Sequence, residues 1–254
     1  MKRPYKILII VLGAAVLAVL VIMANVSRSR STVRGIEVNI NRGRIPRLVD
    51  DQTVRDTLLA AMPQLMQCAV GAVDRQQVAA AAARVPWIKA VKVSVSVSGK
   101  VVVRALQRRP IARLYYGDGE YYFDADGAIM PTTTLGNCNV LVTGGDFVEP
   151  LRADSLNAQL TALWQVARFL DDNDKYGDLI DQLFVQSDGD IIMVPKLGGH
   201  TVELGTPDFL DDKFARLLAF YRKGMPRAGW DTYSQLSLKY RDQVVCTKKE
   251  SSIE

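Results

Sequence analysis

His200 is the one imidazole in 254 residues, so general acid–base or nucleophilic chemistry would centre there first. It follows Gly198-Gly199 in a predicted turn, and no Gly-x-Ser-x-Gly elbow accompanies it, so a bystander histidine is the simpler reading. Asp171, Asp172 and Asp174 could mimic a carboxylate cluster, but they fall at a predicted helix end, where a solvated loop accounts for them. Asp124-Ala-Asp-Gly127 looks like a fragment of a calcium loop; the distal acidic ligands are missing, and a hairpin turn suffices. Cys68, Cys138 and Cys246 are widely spaced, with no C-x-x-C pair to signal zinc or redox chemistry. An exported chain could join Cys138 to Cys246, although three buried free thiols are the favoured reading. There is no P-loop, no G-x-G-x-x-G after a strand and no H-E-x-x-H. We therefore expect no catalytic, cofactor-binding or metal-binding residues: not an enzyme, with no cofactor and no small-molecule substrate.

Binding remains, and the elements that would position it start at the N-terminus. Ile7 to Ala24 are eighteen apolar or glycine residues, about 27 Å as a helix, close to the roughly 30 Å hydrocarbon thickness of a bilayer. A buried core helix would carry a polar stripe, and this run has none. A cleaved signal peptide would have a shorter apolar region, and the nearest cleavage candidate, around Ala24-Asn25-Val26, is poor. A retained transmembrane helix over 7–26 is favoured, after a short cytoplasmic tail at 1–6 and before a linker at 27–32. Lys2, Arg3 and Lys6 face Arg28, Arg30 and Arg34 across it, so flanking charge leaves orientation open. The small basic head favours an N-terminus inside and the bulk exported. Without the three head charges, 29 basic residues face 27 acidic ones, too balanced to suggest nucleic acid.

A first module is expected over 33–107. Val33 to Ile40 reads as a strand; Asp50 and Asp51 cap a helix with Val54, Leu58 and Met62 on one face, and Pro63 stops it. Asp74, with Gln77 three residues on, opens a second helix that Pro86-Trp87-Ile88 breaks. Val91, Val93, Val95 and Val97 alternate with Lys92, Ser94, Ser96 and Ser98, Gly99-Lys100 turns, and Val101 to Leu106 returns. The order β-α-α-β-β buries two helices on one face of a three-stranded sheet.

A second, β-rich module is expected over 108–246. Short strands at Ile111 to Tyr115, Tyr121 to Phe123, Ala128 to Met130 and Asn139 to Thr143 precede a helix capped by Asp154, with Leu156, Leu160, Leu163, Trp164, Ala167 and Leu170 on one side. Asp178 to Gln186, Ile191 to Val194 and Thr201 to Leu204 continue the sheet. Thr206-Pro207 starts a helix whose apolar face takes Phe209, Leu210, Phe214, Leu217, Leu218 and Tyr221, and Gly224 ends it. Tyr233 to Val245 reads as the last strand, with Leu236, Leu238 and Tyr240 pointing one way and Ser237, Lys239 and Arg241 the other. Residues 247–254 read as a disordered tail.

Anchor, β-α-α-β-β module, Val85-Pro86-Trp87-Ile88 before its hairpin, Arg109-Pro110-Ile111-Ala112 after it, and a terminal Leu-x-Leu-Lys-Tyr strand leading to Val244-Val245 together resemble the bacterial cell-division family FtsQ (DivIB). The order of the parts carries the resemblance. It implies an α+β fold: one N-terminal transmembrane helix, a POTRA domain, and a β domain of mainly antiparallel strands with two flanking helices. It also implies a cell inner-membrane protein, N-terminus cytoplasmic and bulk periplasmic, concentrated at the division septum as a divisome scaffold. FtsB and FtsL would be its partners, bound by strand addition to the β domain, and Leu236, Leu238, Lys239, Tyr240, Arg241, Val244 and Val245 would form the contact. Beyond Val245 the chain departs from the family pattern, with Cys246 and a lysine-containing tail. The alternative is a POTRA-containing envelope-assembly or transport component. A membrane β-barrel would need many ten-residue strands, and only about 148 residues follow Leu106.

Overall fold

The computed structural model describes residues 12–20, 23, 31–152 and 155–249. Residues 12–20 and 23 are helical and exposed, while the rest of the expected 7–26 span lies outside the described residues. Among the described residues no helix is long and apolar enough to cross a membrane. The chain divides into two compact units, residues 1–108 and 109–254.

In the first unit β1 (Gly35–Asn41) leads to α1 (Asp51–Ala61), two single 3-10 turns (Leu65–Gln67 and Val70–Ala72) and α2 (Arg75–Ala82), followed by β2 (Ile88–Val95) and β3 (Lys100–Gln107). Asp50 starts α1: its carboxylate accepts from the Thr53 amide at 2.7 Å and the Thr53 hydroxyl at 2.6 Å, bonds that hold it below the usual aspartate range. Asp74 does the same for α2, accepting from the amides of Gln76 and Gln77. The sheet order is β1-β3-β2, with β3 parallel to β1 and antiparallel to β2. Central β3 turns Val101, Val103 and Ala105 toward Val54, Leu58, Val78 and Ala82 of the helices, and all of these are buried. Its other face shows Val102, Arg104 and Leu106. β2 stops at Val95 rather than running on, so Val97 sits in the hairpin turn and is exposed. Gly99 takes φ +80 there, the left-handed region a β-carbon would strain.

The second unit is a nine-stranded mixed sheet: β4 (Pro110–Tyr116), β5 (Gly119–Asp124), β6 (Ile129–Pro131), β7 (Leu141–Gly145), β8 (Ile180–Val185), β9 (Ile191–Pro195), β10 (Thr201–Gly205), β11 (Tyr233–Ser237) and β12 (Val245–Lys248). Its order is β12-β11-β10-β9-β8-β7-β4-β5-β6. Two parallel pairs, β7 with β8 and β10 with β11, are each bridged by a helix: α3 (Ala158–Asp172) and α5 (Leu210–Lys223). Short α4 (Asp174–Gly177) and α6 (Met225–Ala228) follow them. Leu160, Leu163, Val166 and Leu170 of α3, with Phe214, Leu217 and Tyr221 of α5, bury against Ile111, Leu114, Leu183, Met193 and Val202 of the sheet. Fully burying each such side chain stabilises by about 1.5–3 kcal/mol.

Two helix starts differ from expectation. α3 is capped by Asn157, which accepts from the Leu160 amide at 2.8 Å; the expected cap, Asp154, lies outside the described residues. α5 begins after Phe209, three residues past Thr206, because Thr206 turns its hydroxyl to the Asp208 carboxylate at 2.8 Å instead of capping. Phe209 is therefore 64% exposed, outside the apolar face.

Candidate protein-docking edge

The large sheet ends at β12, and the path of the chain explains why. The β10-α5-β11 crossover sets β11 inside the sheet, parallel to β10. Residues 238–244 then reverse the chain, and β12 returns antiparallel to β11, pairing Leu236 with Cys246 and Ser237 with Val245. Tyr233 to Val245 is thus two strands and a turn, not one edge strand. Leu236 and Leu238 are fully buried in the core, and the Leu238 amide donates to Glu203 O at 2.8 Å. Their alternation reflects burial, so neither offers a contact surface. Thr247 and Lys248, expected in the tail, belong to β12.

The other expected contact residues surround this turn. Lys239 pairs with Asp190 and, at 3.5 Å, Glu203; the bonded Asp190 carboxylate holds the ammonium above the usual lysine range. Tyr240 is 54% and Val245 42% exposed, while Val244 packs half-buried on the core. Arg241 lies over the Phe209 ring, 4.7 Å from its centroid.

Sequence reasoning missed the residue that shapes the turn. Arg216, on α5, donates to Tyr240 O at 2.7 Å, Gln243 O at 2.5 Å and Leu238 O at 3.3 Å, and its Nε bonds Asp212 at 2.9 Å. One guanidinium thus satisfies three carbonyls that a reversing chain would otherwise leave unpaired. Phe209 and Asp242 both hold left-handed backbone, φ 54 and 61, which costs a non-glycine residue about 1–3 kcal/mol and collects at functional positions. With Arg216, Lys239 and Arg241 they line a cleft of about 390 Å³. Buried Lys213 lies at its base, donating to Leu204 O at 2.9 Å and Thr206 O at 2.8 Å; burial pushes its pKa down. Phe209, Tyr240 and Arg241 thereby present exposed aromatic and cationic groups at the turn that leads into β12, Val245 is an exposed aliphatic at its start, and among the described residues the outer side of β12 has no neighbour in the sheet.

The residues first considered for chemistry have structural employment. His200, read as a bystander in a turn, is buried: its Nε2 meets the Tyr221 hydroxyl at 2.8 Å, and the Trp230 ring lies nearby. Burial, and then Lys249, push the imidazole pKa down, and burial pushes the Tyr221 hydroxyl up. Asp124 accepts from the amides of Asp126 and Ala128, closing the β5–β6 turn, and Trp164 Nε1 donates to its carbonyl at 3.1 Å. Asp171 is not a solvated loop carboxylate but takes a bidentate fork from Arg109 at 2.7 and 2.5 Å, which raises the guanidinium pKa. The cysteines are free; Cys138 is buried, whereas Cys68 and Cys246 are half-buried rather than buried. Among the described residues no group of three His, Cys, Asp or Glu could hold a metal ion. The arrangement is suited to main-chain recognition.

Residues 109–247, which cover the large sheet up to the third residue of its edge strand β12, match the family described as FtsQ/DivIB, C-terminal related. No curated protein matches the chain.

Proposed function

The chain belongs to the FtsQ/DivIB family of cell-division proteins, and from that membership we propose that it is a non-enzymatic divisome scaffold that captures partners on the β12 edge. The observation that carries this reading is the four-residue strand Val245–Lys248, paired with β11 on one side and, among the described residues, with no strand on the other. A partner strand added there gains main-chain hydrogen bonds, while Phe209, Tyr240, Arg241 and Val245 discriminate among partners. Small membrane-anchored division proteins of the FtsB and FtsL type are the partners we propose. The apolar run Ile7 to Ala24 supports a single inner-membrane span with the N-terminus cytoplasmic and both modules outside, at the septum. The β-α-α-β-β order and β1-β3-β2 sheet support a POTRA assignment for residues 33–107.

The test uses adjacent prolines. Neighbouring residues of an antiparallel strand alternate in which side their amides serve, so Cys246→Pro and Thr247→Pro remove donors from opposite edges of β12. One variant is expected to lose ladder stability with β11. The other keeps its thermal transition and loses about tenfold in capture of an FtsB-type partner, from a missing main-chain bond and its geometry. If a folded outer-edge variant captures the partner at full strength, the contact is not on β12.

A further inference from the structure

The first unit has a face that its own fold leaves uncovered and a charge that its own residues leave unbalanced. Residues 31–108 hold 12 Lys and Arg against 5 Asp and Glu, a net of +7, whereas residues 109–254 hold 15 against 22, a net of −7. Residues 31–254, neutral in sum, are therefore two oppositely charged modules. The basic charge in the first unit reaches the helix-free side of its sheet. Register places Asn39, Arg104 and Lys92 in one cross-strand row and Asn41, Leu106 and Ala90 in the next. Arg104 and Lys92 stand directly opposite each other and are exposed, with no carboxylate partner among the described residues. Like charges in that position destabilise a sheet, so the pair is explained by an external anion rather than by the fold. Leu106, 41% exposed, adds an aliphatic group beside them, and residues of these rows line an open groove of about 500 Å³.

We infer that this face docks on an anionic lipid surface beside the proposed anchor, through Lys92, Arg104 and Leu106. The inference rests on the single-span reading above. Lipid is favoured over an acidic protein because only the short stretch from Asn25 to Thr32, itself carrying Arg28 and Arg30, separates the apolar run from the module. The module would then be held at high local concentration over headgroups, with basic side chains and an aliphatic to meet them.

The experiment reconstitutes the full chain in nanodiscs of phosphatidylcholine alone or mixed with phosphatidylglycerol. It measures by mass spectrometry how fast an acylating reagent modifies the Lys92 amine, with exposed Lys196 of the second unit as internal control. We expect Lys92, relative to Lys196, to be slowed in the anionic discs alone and restored by salt of about 0.5 M. Arg104→Gln, a surface change, should weaken docking by about fivefold, the share of one basic side chain near a charged surface. Equal Lys92 rates in the two discs, with the chain retained through a carbonate wash, would overturn the lipid inference and leave the anchor standing. Slowing in neutral and anionic discs alike would assign the face to an acidic protein surface, such as a second copy's β domain, and would also overturn it. Release of the chain by carbonate would overturn the anchor reading and this inference together.

Discussion

The imidazole of His200 is closed in by Tyr221, Trp230 and the Gly198-Gly199 turn, with the Lys249 ammonium as the charged group acting on it. Its pKa is lowered in the fold, so below about pH 6.5 the unfolded chain binds a proton that the native chain resists. The stability contributed by neutral His200 is complete above the unfolded value and is lost as pH falls from there toward the folded one. Urea midpoints measured at about pH 7.5 and about pH 5.5 should therefore fall with pH, and His200→Gln should flatten that difference. An unchanged slope in the variant would place the titrating group elsewhere. The sequence showed one histidine after two glycines and suggested a bystander in a turn. Its burial depends on Tyr221 and Trp230, which are 21 and 30 residues away, and no local pattern announces such a contact. Arg109 was singled out at the junction, but its partner Asp171, 62 residues on, was read as loop carboxylate for the same reason.

At the scale of elements, α5 and the 238–244 turn form one device through Arg216. Arg216→Gln should cost about 2 kcal/mol, since bonds from a charged donor to several carbonyls are lost together, and should lower the thermal midpoint measurably. It should also weaken partner capture, because the turn that delivers β12 is no longer tied to the helix. A variant with normal stability and normal capture would show that the turn stands without the clamp. Leu238→Pro is uninformative as a contact probe: Leu238 is core, and its amide is used by Glu203. Most elements were legible from period and caps: the two helices of the first unit at Asp50 and Asp74, and every strand from β4 to β10 to within a few residues. The end of the chain was not. Leu236-x-Leu238 alternates as an edge strand would, and the turn that buries it rests on Asp242 in left-handed backbone and on a distant arginine. Phe209 escaped for a related reason. Thr206-Pro207 has the chemistry of a helix start, but Asp208 takes the hydroxyl, and the aromatic is left outside.

At the scale of the molecule, a 54% exposed Tyr240 and a 64% exposed Phe209 lie at the turn that delivers β12, whose outer side no strand covers among the described residues, and this supports the proposal that a partner strand adds there. The opposite edge, β6, has three residues and ends in Pro131, a poorer template for strand addition. Charge and chain order support the proposed division of labour: a basic module that follows the proposed anchor in sequence, and an acidic one that carries the proposed docking edge. The most direct measurement of the central claim is photo-crosslinking in dividing cells, with the crosslinking residue placed at exposed Val245 and, as control, at Ile129 on the β6 edge. The account predicts a crosslink from Val245, and not from Ile129, to a membrane-anchored division protein at the septum. The absence of any such crosslink from Val245 in cells that divide normally would contradict it.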